Sequence, residues 1–186
     1  MMIEELIERL RRAQIGATFN FYRDGDGAAR RCERLLTYLE ARPDAPLLLV
    51  GEAAGYRGAR VSGIPFTSER QLTGTGPAEA SATIVRRTLA ELALEEQVLC
   101  WNAVPTHPHL PARHDTNRRP TRAEVEASRP FLRELVRGRT VLAVGRLAEL
   151  ATGAPYVRHP SHGGAAEFRA GLLAFRPGGR RVCRFL

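Results

Sequence analysis

Lysine is missing from this chain: all 28 basic residues among its 186 are arginine. Cysteine is scarce as well. Cys32, Cys100 and Cys183 stand far apart with no Cys-x-x-Cys pair, which argues against a disulfide framework and against a zinc or iron–sulfur centre. No apolar run approaches the roughly 20 residues that cross a bilayer, and the first residues, Met-Met-Ile-Glu-Glu, are acidic where an export signal would be basic. The expectation from these absences is a soluble, cytoplasmic protein that needs no metal, cofactor or membrane. The missing lysine reads as codon bias, but the excess of positive charge needs its own explanation. At a formal net charge of +8 and a sequence pI of about 10.6, the chain is a candidate for nucleic-acid binding, since the forked guanidinium suits phosphate.

The length suits one domain, 1–186, with a real core. Helical and strand patterns alternate along it. Apolar residues at helical spacing mark helices over 2–13, 27–41 and 78–93. Thr121 followed by Glu124 is a capping box that starts another, running to about 137. Shorter helices fit 147–152 and 165–173. Leu47-Leu48-Leu49-Val50, Val98 to Asn102 and Val141 to Gly145 are apolar runs without polar alternation, as in parallel strands covered on both faces. Residues 155–158 read as a short fourth strand, and the tail with Arg180, Arg181 and Arg184 as one more strand or a loose end. The fold class is therefore α/β: a three-layer α/β/α sandwich around a central, mainly parallel four-stranded sheet.

The most informative segment joins the first strand to Gly51-Glu52-Ala53-Ala54-Gly55-Tyr56 and ends on Gly63-Ile64-Pro65-Phe66. Ligands of open α/β sheets bind beyond the carboxyl ends of the strands. If the first, second and fourth strands lie side by side or nearly so, three loops meet on one rim: 51–66, 102–109 and 159–164. Gly51 and Gly55 predict a turn with positive φ and a close backbone approach to a ligand. Phe66 offers a ring to stack on a planar ligand. Asn102 presents an acceptor and two donors in one plane, the pattern that reads an imide edge. His159 can donate to an oxygen on which negative charge develops. Singly, each has a plainer reading: turn glycines, a core phenylalanine, a capping asparagine, a structural histidine. Occurring together and in this order, they describe a nucleobase pocket.

The order Gly-Glu-Ala-x-Gly, then Gly-x-Pro-Phe, then a strand ending in Asn, then His159-Pro160-Ser161, resembles the uracil-DNA glycosylase superfamily over about residues 47–170. The Gly51-Glu52-Ala53 start is most similar to a bacterial and archaeal branch that usually carries an iron–sulfur cluster, whose cysteines are missing here. The resemblance implies a DNA repair enzyme, monomeric and cofactor-free, whose partner is DNA containing uracil. It would flip the uracil out of single- or double-stranded DNA and hydrolyse its N-glycosidic bond. Carried over by position, Phe66 stacks on the base, Asn102 bonds its Watson–Crick edge, the backbone at Ala53 bonds it too, and His159 stabilises the charge on the uracil O2. Ser161, His162, Gly163 and Gly164 form the loop that enters the duplex.

Departures from that pattern shape the remaining expectations. Ala53 stands where other branches have Asp or Asn to handle the attacking water, so Glu52 is the candidate for that role. Gly55 stands where the best-known branch has a tyrosine that excludes thymine's methyl group, and Tyr56 is one place later. In the proline- and histidine-rich stretch 103–119, His109 is expected to lie near the pocket; a metal held by His107-x-His109 is disfavoured by the adjoining prolines and the lack of acids other than Asp115. Arg57 and Arg158, with Arg60, Arg70, Arg113, Arg118 and Arg119, flank the loops as a phosphate track. Two readings compete with a glycosylase: a DNA-binding or base-sensing module whose turnover was lost with Ala53, and an unrelated small-molecule hydrolase or nucleotide-binding domain of similar α/β layout. The second lacks the phosphate loop or nucleophile elbow it would need.

Overall fold

The computed structural model describes residues 2–175. The expected tail strand and Cys183 lie outside them. In chain order the elements are α1 (Ile3–Arg12), β1 (Thr18–Phe19), α2 (Ala28–Glu40), β2 (Leu47–Ala53), α3 (Ala59–Ser62), α4 (Glu69–Thr73) and α5 (Ala80–Glu91). They continue with β3 (Val98–Val104), β4 (His107–Pro108), α6 (Arg122–Leu135), β5 (Thr140–Val144), α7 (Arg146–Thr152), β6 (Tyr156–Val157) and α8 (Ala165–Ala174).

The main sheet has the order β3-β2-β5-β6, and every pairing in it is parallel. The α/β class with four parallel strands flanked by helices is thus the observed one. Leu47 to Val50 and Val98 to Val104 are buried throughout, which is why these strands show no polar alternation. The step from β2 to β3 and the steps through β5 to β6 run in opposite directions from β2. With right-handed crossovers, α5 covers one face while α6 and α7 cover the other. β3 is the sheet edge on its side, and the N–H of Cys100 there donates to the Tyr38 hydroxyl of α2 at 2.8 Å, closing part of that edge.

This order makes β2 the point at which the strand sequence reverses, and the crevice above such a point is where ligands of open α/β sheets bind. β5 accompanies β2 only as far as Val50, paired with Ala143, whereas β3 continues beside it to the pair Ala53–Val104. The β5-facing edge of Gly51-Glu52-Ala53 is therefore left without a strand partner.

Two features went unforeseen. The long segments 51–76 and 103–119 contain the short helices α3 and α4 and the strand β4, and β4 pairs antiparallel with β1 through Thr18–Pro108 and Phe19–His107. A two-residue strand carries no periodic signal, because pairing at that length is decided by the partner. The 103–119 segment is further fastened by Arg118, whose guanidinium meets the buried Glu124 carboxylate at 2.6 and 2.8 Å. Glu124 also completes the capping box of α6 with Thr121, as its spacing predicts.

Candidate active site

Gly51 lies within β2 opposite Asn102 of β3, so it is a strand residue. The positive-φ turn expected at Gly51 and Gly55 does not occur; neither residue is among those with left-handed backbone. Their small size serves a different purpose. A Cβ on Gly51 would run into the Phe66 ring and come within 3.0 Å of Asn102 Oδ1, and a Cβ on Gly55 would collide with the Glu79 carboxylate. Both positions are kept clear for side chains arriving from other elements.

Phe66 itself adopts the left-handed conformation, with φ 52°, which is uncommon for a bulky residue and holds its ring in a set orientation at a cost of about 1–3 kcal/mol. Ser62 restrains the hairpin beneath it: its hydroxyl lies 2.6 Å from Thr67 O and accepts the Ile64 N–H at 3.1 Å. The ring is 9% exposed and lies over β2.

The side chains converge on a cavity of about 60 Å³ lined by Glu52, Ala53, Gly55, Phe66, Asn102 and His159, with Ala59, Glu79 and Ser81. Asn102 is 5% exposed, its amide makes no hydrogen bond to any described residue, and its polar atoms are not among those sealed off without a partner, so they keep access to the cavity they line. An unpaired planar amide facing a cavity is an open recognition group. Larger grooves exist among the described residues, one of about 520 Å³ between α6 and α7, but it is the small cavity that gathers acids, an amide, an imidazole and an aromatic ring. Chemistry rather than size identifies the site.

His159 follows β6. The backbone N–H of Ser161 points at its Nδ1 at 3.2 Å, and the Ser161 hydroxyl is 2.7 Å from the same nitrogen. A backbone N–H only donates, so Nδ1 is the acceptor and the ring proton sits on Nε2. Burial, then the charges of Arg158 and His162, hold the imidazole below the ordinary histidine range, which favours the neutral ring. In the same turn His162 and Gly163 have φ of 52° and 77°. Gly164 N–H closes the turn on Ser161 O at 3.1 Å at the N-terminus of α8, where backbone amides favour an anion. Arg158 is exposed beside it.

Two carboxyl groups line the cavity. Burial raises the Glu52 carboxyl above its usual range, partly offset by Arg119, and burial likewise raises Glu79, partly offset by the Ser81 hydroxyl. Glu79 is not among the residues expected at the site, because a glutamate at a helix start carries no signal of its own; only the gaps at Gly55 and Gly58 bring it to the cavity. His107 likewise has no expected part at the site, and it is fully buried, with Nδ1 2.8 Å from Ala54 O, tying β4 to the loop after β2.

Other expected residues lie apart from the cavity. Tyr56 does not line it; its hydroxyl accepts from Arg57 Nε at 2.8 Å and its N–H donates to Asn117 Oδ1 at 3.0 Å. Contrary to expectation, His109 does not reach the pocket: its ring packs on His114 with centroids 4.2 Å apart, and Nδ1 lies 2.8 Å from Leu110 O. Arg118 is committed to the buried Glu124 and so withdrawn from the phosphate track; Arg113 pairs with Asp115 at 3.1 Å on the surface, and Arg57, Arg70, Arg119 and Arg158 are exposed. Among the described residues no group of three His, Cys, Asp or Glu side chains is placed to hold a metal ion, and no helix is long and apolar enough to cross a membrane.

Comparison with known proteins adds an independent line. The family model described as "Uracil DNA glycosylase superfamily" matches residues 40–174. No curated protein matches the chain. Among solved structures, the crystal structure of wild-type SMUG2 from Pedobacter heparinus superposes with a TM-score of 0.63, covering 94% of this chain and 97% of that one at 14% sequence identity; at that identity the likeness concerns the fold.

Proposed function

This chain belongs to the uracil-DNA glycosylase superfamily, and on that premise we propose that it flips uracil out of DNA and hydrolyses its N-glycosidic bond, leaving an abasic site. The observation that carries the reading is the Asn102 amide, unpaired and open to one cavity with the Phe66 ring and the His159 imidazole.

Uracil leaves as an anion, so catalysis needs a fixed donor at the oxygen where the charge gathers. Neutral His159 with its proton on Nε2 suits that role, since it donates without needing to be charged. Phe66 stacks on the ring, Asn102 reads its imide edge, and the open backbone edge at Ala53 gives a further contact. Ala53 has no group to handle water; Glu52, next to it and raised in pKa by burial, is the nearby acid that positions or activates the nucleophile. Extrusion of the base costs a few kcal/mol and is least costly from a mismatch, which favours uracil opposite guanine. A cavity of about 60 Å³ is tight for a nucleobase, so entry goes with an outward shift of the lining residues. Outside it, Arg57, Arg158 and the Ser161-His162-Gly163-Gly164 turn would meet phosphates, and binding should weaken steeply as salt rises.

The test is excision from end-labelled oligonucleotides carrying uracil in single strands, opposite guanine or opposite adenine, with abasic sites revealed by alkali. Cleavage that vanishes in Asn102→Ala and His159→Ala supports the enzyme. Salt-sensitive binding without cleavage supports a base-sensing protein instead, the reading that Ala53 favours.

A further inference from the structure

Glu79 is the one acidic side chain of the cavity to which the reaction above gives no part. It stands at the N-terminus of α5, yet its side chain makes no capping bond to that helix and is turned back toward the loop after β2. Room for it exists because residues 55 and 58 are both glycine, and a Cβ at either would collide with its carboxylate. Its backbone is fixed as well: the Glu79 N–H donates at 2.9 Å to Ser68 Oγ, a fully buried residue of the α4 capping box. The carboxyl is thus a polar wall on a fixed stretch of backbone, with the Ser81 hydroxyl beside it.

The place of this wall relative to a base follows by elimination, and the step rests on the proposed excision of uracil. Phe66 takes the face of the ring, Asn102 the imide edge, His159 the oxygen between the ring nitrogens, and Glu52 the water. Of the polar side chains lining the cavity one pair is left, Glu79 with Ser81, beside the small residues Gly55 and Ala59, and one edge of the pyrimidine is left, at C5 and C6. We infer that Glu79 is a specificity-determining residue, a carboxyl wall facing the C5 edge that accepts a bare C–H and rejects a 5-methyl group. A methyl there would press on a buried carboxyl and strip it of the water that solvates it without offering a hydrogen bond. Pockets that discriminate by a single methyl or methylene reach about 10–200-fold, so the wall should supply a preference of at least about tenfold for uracil over thymine.

The test is single-turnover excision of uracil and of thymine, each opposite guanine, by the parent protein and by Glu79→Ala and Glu79→Asp, with a thermal melt of each variant. The alanine should lower the uracil-over-thymine ratio about tenfold or more, chiefly by raising thymine release, and the shorter aspartate should lower it less. If alanine fails to fold, the aspartate decides alone. A folded variant whose ratio equals the parent's overturns the inference. So does a folded Glu79→Asp that releases neither base, because the role assigned is selection and not bond cleavage. A parent that releases uracil but prefers it no more than thymine also overturns it, leaving the glycosylase reading intact. A parent that releases neither base sinks both.

Discussion

The Ser161 backbone N–H lies 3.2 Å from Nδ1 of His159 and the Ser161 hydroxyl 2.7 Å from it, so a residue two places along the chain decides which nitrogen of the imidazole carries the proton. Because the N–H only donates, Nε2 is the protonated nitrogen, and among the described residues it has no partner.

His159→Ala is therefore expected to lower the single-turnover rate of uracil excision by about 10²–10³, or about 2.7–4 kcal/mol, the usual effect of losing one such donor. Ser161→Ala keeps the backbone N–H and should cost far less. Equal losses in the two variants would show that the hydroxyl, and not the backbone amide, sets the tautomer.

Glu52 gives a dependence on pH whose sign follows from burial. Its carboxyl is raised, and water handling requires the ionised form, so excision should decline as pH falls through that raised value, above the ordinary carboxylate range. The His159 imidazole is held below the ordinary histidine range by burial, which favours its neutral, donating form. Glu52→Gln should slow excision and remove this acid limb; a variant with an unchanged pH profile would assign the limb elsewhere. The same burial opposes folding when Glu52 is charged: below its unfolded pKa there is no penalty, and the penalty grows as pH rises through the folded value. Glu52→Gln should accordingly melt slightly higher than the parent at neutral pH and lose that advantage in acid.

Gly51→Ala tests the packing of Phe66. The added methyl would meet the ring, which is already held in left-handed backbone and cannot retreat without leaving the cavity. The expected result is a folded protein, judged by circular dichroism, whose uracil excision falls at least as far as that of Phe66→Ala. Parent-like excision would mean that the position of the ring over β2 is not needed.

Glu124→Ala tests the fastening of the 103–119 segment. Glu124 is 2% exposed at its side chain and Arg118 19%, so removing the acid leaves a partly buried guanidinium with only the carbonyls of Ala17, His109 and Arg119 as acceptors; losing a charged hydrogen-bond partner of this kind costs about 1.5–3 kcal/mol. Although burial alone would raise the Glu124 carboxyl, the Arg118 and Thr121 bonds outweigh it and hold it below its usual range. Its contribution is present above the unfolded carboxyl value and is lost as pH falls through the folded one. Urea melts of parent and variant should therefore differ most near neutral pH and converge in acid.

The helices and main strands were legible because each carries a period or an apolar run long enough to be read locally: Leu35, Leu36 and Leu39 on α2, Thr121 with Glu124 at the head of α6, the leucines of β2. Phe66, Asn102 and His159 were legible as a set because they lie in or just after recognisable strands and turns, although β3 runs on past Asn102 to Val104. The pair β1–β4 was not, since two residues have no period of their own. Nor was Glu79, whose relevance depends on two glycines more than twenty residues earlier in the chain.

The sequence by itself determined the class of fold, the order of its parallel strands along the chain and a candidate chemical inventory for the site, because burial on both faces, capping and residue type are local properties. The tertiary structure decided what each member of that inventory can do. It made Gly51 a strand residue that clears space for Phe66, left the Asn102 amide unpaired, put the His159 proton on Nε2, drew Glu79 to the cavity and turned Tyr56, His109 and Arg118 away from it. These outcomes depend on distances between segments far apart in the chain, and such distances are settled only when the whole core packs.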